Sequence, residues 1–157
     1  MGLDMYLYRK SWVDSSEWVK PEYRAEIKMT KGGKEADTSK IRYIVEEVGY
    51  WRKANAIHKW FVENVQNGED DCGEYEVSQE QLKELRDLCA KAKYTMEMGD
   101  HSVAQKELPT HSGFFFGDTG YGEYYIEDLN STIEIIDRIL VSKDQNLMST
   151  FMYSSSW

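Results

Sequence analysis

The sequence predicts an α+β fold. Residues 1–157 form one domain, with a small, mostly antiparallel sheet made by strands from the N- and C-terminal ends and about three helices packed on one of its faces. Three observations predict it. Leu3–Tyr8 alternates apolar and polar side chains with a period of two, and three later stretches repeat apolar residues at helical spacing. The chain then ends on Phe151-Met152-Tyr153 and Trp157, an aromatic segment expected to dock in the sheet rather than dangle in water.

In the first strand Leu3, Met5 and Leu7 share one face and Asp4, Tyr6 and Tyr8 the other. Ala25–Lys31 repeats the alternation through Ile27 and Met29, and Lys31-Gly32-Gly33-Lys34 supplies a turn. The aromatic connection between these strands, which holds Pro21, is too long for a tight hairpin. Thr38 or Ser39 can cap the next element, in which Ile41, Ile44, Val45 and Val48 recur at helical spacing. The pattern continues through Trp51, His58, Val62 and Val65 to Asn67-Gly68, which predicts a single helix over the whole stretch.

An acidic loop, Glu69-Asp70-Asp71-Cys72-Gly73, leads into a short strand at Tyr75–Val77. Ser78 opens a second helix with Leu82, Leu85, Leu88, Cys89 and Ala92 along one stripe, ended by Gly99. Residues 100–110 have no clear period. Pro109 marks a boundary before Ser112–Gly117, whose glycine-bounded triple Phe reads as a buried strand or a packed loop. After a Gly-rich turn at Asp118–Gly122, a third helix is expected from about Ile126 to Val141, carried by Leu129, Ile133, Ile136 and Ile139 or Leu140. Leu147–Trp157 completes the sheet, with Phe151, Tyr153 and Trp157 on one side.

Composition narrows the function classes. With 41% hydrophobic and 30% charged residues the chain is globular, and 157 residues bury a core without help from metals or disulfides. Cys72 and Cys89 read as reduced thiols, since neither lies in a C-x-x-C arrangement. The net charge of −9 disfavours direct nucleic-acid binding and suits a partner with a basic face. No apolar run approaches the roughly 20 residues of a membrane span and no secretory signal is evident, so a cytoplasmic location without membrane contact is expected. Met1-Gly2 does not signal acylation, because position 6 is Tyr6.

Function enters where polar residues interrupt the apolar pattern. At 100° per residue, the stripe through Val48 places Trp51, Arg52, Asn55 and His58 on one helix face. Burying an amide or guanidinium without partners costs about 1–3 kcal/mol, so that face is paired, hydrated or liganded. Either Arg52 meets a carboxylate while Asn55 and His58 hold loops against the helix, or the face lines a pocket. Asp70 and Asp71 of the acidic loop could neutralise Arg52 or Lys53, and with His58, His101, His111 and Cys72 they are numerous enough for a metal, although no metal-binding spacing appears. Ser112 and Phe115 belong to a glycine-flanked segment that is either a bulged core strand or an aromatic wall against which a planar ligand stacks. Cys72 with His58 and Ser112 with His111 are the nucleophile pairs, and neither sits in a known catalytic motif.

Several segments together resemble a known group. They are Met1-Gly2-Leu3-Asp4-Met5-Tyr6-Leu7, the block from Ile44 through Val45-Glu46-Glu47-Val48 to Tyr50-Trp51-Arg52-Lys53-Ala54-Asn55-Ala56-Ile57-His58-Lys59-Trp60-Phe61, the loop Asp70-Asp71-Cys72, the segment Leu108–Gly117 and the ending Ser154-Ser155-Ser156-Trp157. In these, over nearly its whole length, the chain is similar to a group of small proteins carried by bacteriophages and prophages. The resemblance implies an accessory protein in the host cytoplasm that binds, inhibits or sequesters a host component, such as a defence protein or a small anionic ligand. It transfers no catalytic residues and no cofactor. A small hydrolase, with or without a metal, and a structural or assembly protein are the alternatives. The ligand- or partner-binding set is Trp51, Arg52, Asn55, His58, Asp70, Asp71, Ser112 and Phe115.

Overall fold

In the computed structural model, which describes residues 2–141 and 148–157, the first strand runs longer than its alternation alone indicates. Strand β1 (Asp4–Trp12) lies in the middle of a four-stranded antiparallel sheet of order β4-β1-β6-β5, with β4 at Tyr43–Arg52, β5 at Glu74–Val77 and β6 at Ser149–Ser156. The two central strands therefore come from the two ends of the chain, as expected. Leu147 falls outside the described residues.

The long helix expected to end at Asn67-Gly68 is not formed as such. Its first half is β4, and only the second half is helical, as α1 (Asn55–Asn64). Tyr43, Ile44, Val45, Val48, Tyr50 and Trp51 are β-branched or aromatic, which favours a pleated strand, and Gly49 costs a helix interior about 1 kcal/mol. Gly49 has a further role. A Cβ placed there would lie 2.7 Å from Ile135 Cγ2, so the helix above packs directly on the bare backbone.

Strand β2 shrinks to Thr30–Lys31, which pairs with β3 (Lys34–Glu35) in a separate hairpin rather than joining the main sheet. The turn between them uses Gly32 and Gly33, both at positive φ.

Helix α2 (Gln79–Glu97) begins with a reciprocal cap: the Ser78 hydroxyl accepts from Gln81 N–H and the Gln81 side chain accepts from Ser78 N–H. A short α3 (Ser102–Glu107) follows in the stretch that lacked a period, tied to α2 by Lys91–Glu107 at 2.6 Å. Helix α4 (Glu123–Val141) buries Tyr125, Leu129, Thr132, Ile135, Ile136 and Ile139, and it is joined to α2 by the Arg86–Asp137 pair at 2.9 Å.

The helices bury the sheet face that carries Met5, Leu7, Trp51, Phe151 and Tyr153, and all of these join one core. At its centre Phe61 of α1 stacks on Tyr153 of β6, ring centroids 3.9 Å apart. The stretch Ser112–Gly117 is a loop with Phe116 buried and Phe114 and Phe115 exposed. Among the described residues no helix is long and apolar enough to cross a membrane.

Candidate functional site

Splitting the expected helix separates the four residues assigned to one face. Trp51 and Arg52 close β4, and Lys53, at φ 62°, turns the chain sharply into α1. Because neighbouring strand residues point to opposite faces, Trp51 enters the core while Arg52 faces outward. The Trp51 indole donates to Thr132 Oγ1 at 2.9 Å, and that hydroxyl donates to the Asp128 carbonyl at 2.7 Å. Arg52 lies 3.9 Å from Asp4 with most of its side chain in water.

Asn55, the first residue of α1, is 3% exposed and uses its whole amide. Its Nδ2 donates to the carbonyls of Phe116 at 3.1 Å and Asp118 at 2.8 Å, and its Oδ1 accepts from His111 N–H at 2.9 Å. This one side chain pins the loop 111–118 to the start of the helix. Asparagine fits because it offers a donor and an acceptor together.

His58, one turn further on, is fully buried with both ring nitrogens engaged. Nε2 lies 3.0 Å from Asp70 Oδ2 and Nδ1 lies 2.8 Å from the Tyr153 hydroxyl, while Asp70 Oδ1 accepts from the Trp157 indole at 3.1 Å. Desolvation pulls the imidazole pKa below its ordinary value, against the opposing pull of Asp70. In the neutral ring that donates from Nε2 to Asp70, Nδ1 accepts from the Tyr153 hydroxyl. Phe116 packs edge-on against His58, and Trp157 against Phe116.

A cleft of 360 Å³ opens on the other side of the pinned loop, walled by Arg52, Lys53 and Asn55 on one side, Gly117 and Asp118 below, and Tyr124, Glu127 and Asp128 of α4 opposite. Its volume lies within the range of small-molecule sites. Burial, then the neighbouring Glu127, push the Asp128 carboxyl up to about 7. Among the described residues that carboxyl has no hydrogen bond or ion pair. Gly117 is required at the floor, because at φ 94° a Cβ would lie 3.0 Å from Lys53 Cβ.

The structure thus brings Arg52 and Asn55 to one cleft, and His58 and Asp70 to the cluster behind the loop. A second opening of 330 Å³ touches that cluster through His58, Asp70 and His111. Asp71 is exposed, its carboxylate accepting from Gly73 N–H at 2.8 Å in a local turn. Ser112 is exposed on the loop, and Phe115, at φ 65°, meets Phe114 edge-on at the loop tip. The ring nitrogens of His58 are occupied by Asp70 and Tyr153, which leaves neither of them to activate Cys72. Among the described residues no group of three or more His, Cys, Asp or Glu could hold a metal.

Sequence reasoning missed Lys53, Tyr153 and Asp128 as site residues. Asp128 was within reach of the argument that found Asn55: it sits three residues after Tyr125 and four before Thr132, on the flank of the buried stripe of α4. Comparison of the chain with protein-family models, characterised proteins and solved structures gives no match.

Proposed function

We propose that this protein is a binding protein whose cleft between the β4–α1 corner and α4 takes a small anionic molecule, and that in a phage setting it sequesters such a molecule in the host cytoplasm. The observation that carries the reading is that Arg52 and Lys53 share one 360 Å³ cleft with a desolvated Asp128 that has no partner among the described residues. Two cations on one wall suit a phosphate or carboxylate. A carboxyl titrating near 7 on the other wall can donate or accept a hydrogen bond, and Tyr124 offers a ring for a planar group. A nucleotide-like ligand satisfies all three.

Titration calorimetry with inorganic phosphate and with a nucleoside monophosphate tests this. One saturable site is expected for the nucleotide, with affinity at least tenfold lower in the R52A/K53A double variant. No binding of either probe, or binding untouched by the double variant, would sink the reading.

One observation favours a second reading, hydrolysis of a phosphoester. A carboxyl near 7 across a cleft from two cations is poised as a general acid or base. If it serves that role, Asp128→Asn abolishes turnover of a chromogenic phosphoester while leaving product binding within a few fold.

A further inference from the structure

The sheet face opposite the helices is built from two central rows. Register places Tyr50, Tyr6, Ser154 and Glu74 side by side in one, and Glu47, Tyr8, Met152 and Glu76 in the next. The middle of the face is aromatic and apolar: the Tyr6 and Tyr8 rings lie parallel at 5.9 Å, and Tyr50 packs on Tyr6 at 5.4 Å. Both margins are acidic, with Glu47 on β4 and Glu74 and Glu76 on β5 all exposed. Desolvation, then Glu47 and Glu74, raise the Tyr8 phenol pKa, so carboxylates flank that ring from two strands. The cations nearby are engaged at the ends of the face, Lys10 over the Tyr43 ring at 4.6 Å and Arg52 beside Asp4 at 3.9 Å.

We propose that this open face, Tyr6, Tyr8, Tyr50 and Met152 between Glu47 and the Glu74–Glu76 pair, docks an arginine-bearing basic segment of a partner protein. Guanidinium groups stack on phenol rings and pair in bidentate fashion with carboxylates, and the face presents both within one strand spacing. Charge selects this occupant over others. A second copy of the chain would set Glu47, Glu74 and Glu76 against their own equivalents, and a nucleic acid would bring phosphates to the same three carboxylates. The surface meets the proposed ligand cleft only at Arg52, which stands at its end and is not part of the docking set.

The test uses a synthetic peptide of alternating arginine and glycine, its glutamate-for-arginine counterpart, and amide chemical-shift mapping on the full chain. The arginine peptide is expected to shift residues of β1, β4, β5 and β6, with affinity at least tenfold weaker in E47Q/E74Q/E76Q and in Tyr6→Ser. Neutralising Glu84, Glu97 and Glu134, exposed on the helical layer, is expected to change affinity less than twofold. Equal losses in the two triple variants, shifts confined to other surfaces, no binding, or a dimer in sedimentation that Tyr6→Ser dissociates would each overturn the proposal.

Discussion

His58 Nε2 stands 3.0 Å from Asp70 Oδ2, linking a fully buried imidazole to a carboxylate that still reaches water. The ring's other nitrogen is engaged by Tyr153, so the histidine joins α1, the acidic loop and β6 in one contact set. It works in its neutral form, because burial depresses its pKa.

That depression sets a pH dependence. The unfolded chain takes up a proton at His58 below about 6.5, which the folded chain resists. Stability from this group is therefore fully present above pH 6.5 and is lost as pH falls below it. His58→Gln is expected to flatten that slope in urea midpoints measured from pH 5 to 8, and to lower overall stability by about 2 kcal/mol through lost buried hydrogen bonds. An unchanged slope would show that the proton is taken up elsewhere.

Asp128 carries the opposite sign. Its folded-state value near 7 stands above the ordinary 3.8, so its contribution is fully present below pH 3.8 and is lost as pH rises through 7. Asp128→Asn removes the cost of ionising a desolvated carboxyl. At pH 8 the variant is expected to be more stable than the parent by on the order of 2–4 kcal/mol, with no difference near pH 4. Equal stability of the two at pH 8 would mean that the carboxyl is already well solvated or paired.

Asn55 can be tested through the groups it would strand. Asn55→Ala leaves the carbonyls of Phe116 and Asp118 and the His111 N–H without a protein partner, at a cost of about 2–3 kcal/mol. Asn55→Asp keeps the shape and the acceptor but turns the donor into a charge facing two carbonyls, so it is expected to be no better than alanine. Faster amide exchange along residues 111–118 in both variants checks that the clamp holds the loop. Rescue by aspartate would show that only the bond to His111 matters.

The sheet-forming ends, the capped α2 and the stripe of α4 were legible because each follows an uninterrupted period. Strand β4 was not, for a local reason. Leu7 pairs with Gly49 but Tyr8 pairs with Glu47, so Val48 is an extra, bulged residue. Positions on the inner side of the sheet run Ile44 and Glu46 on one side of the bulge and Gly49 and Trp51 on the other, and only the latter two are buried. Across that jump the apolar residues fall at spacings of three and four, as in a helix. Asn55 and His58 were correctly singled out as polar residues needing partners, because buried polarity within an apolar block is visible in one dimension. Their partners were not, since Tyr153 is 95 residues away from His58 and Phe116 is 61 from Asn55.

Lys53 joins strain to function. At φ 62° its side chain crowds the carbonyl that follows, a conformation that costs a non-glycine residue about 1–2 kcal/mol. The corner is nonetheless enforced, because Lys53 N–H donates to the Leu3 carbonyl at 2.8 Å and Asn55 N–H donates to the Lys53 carbonyl at the same distance. Glycine relieves the strain, offset in part by the greater freedom of the unfolded chain. Lys53→Gly is therefore expected to raise stability by about 0.5–1 kcal/mol in denaturant titrations while weakening nucleotide binding several fold, since the cleft then keeps Arg52 as its only cation among the described lining residues. Weaker binding with higher stability would mark the strain as serving the ligand. Loss of both would mean that the lysine side chain is needed to hold the corner itself.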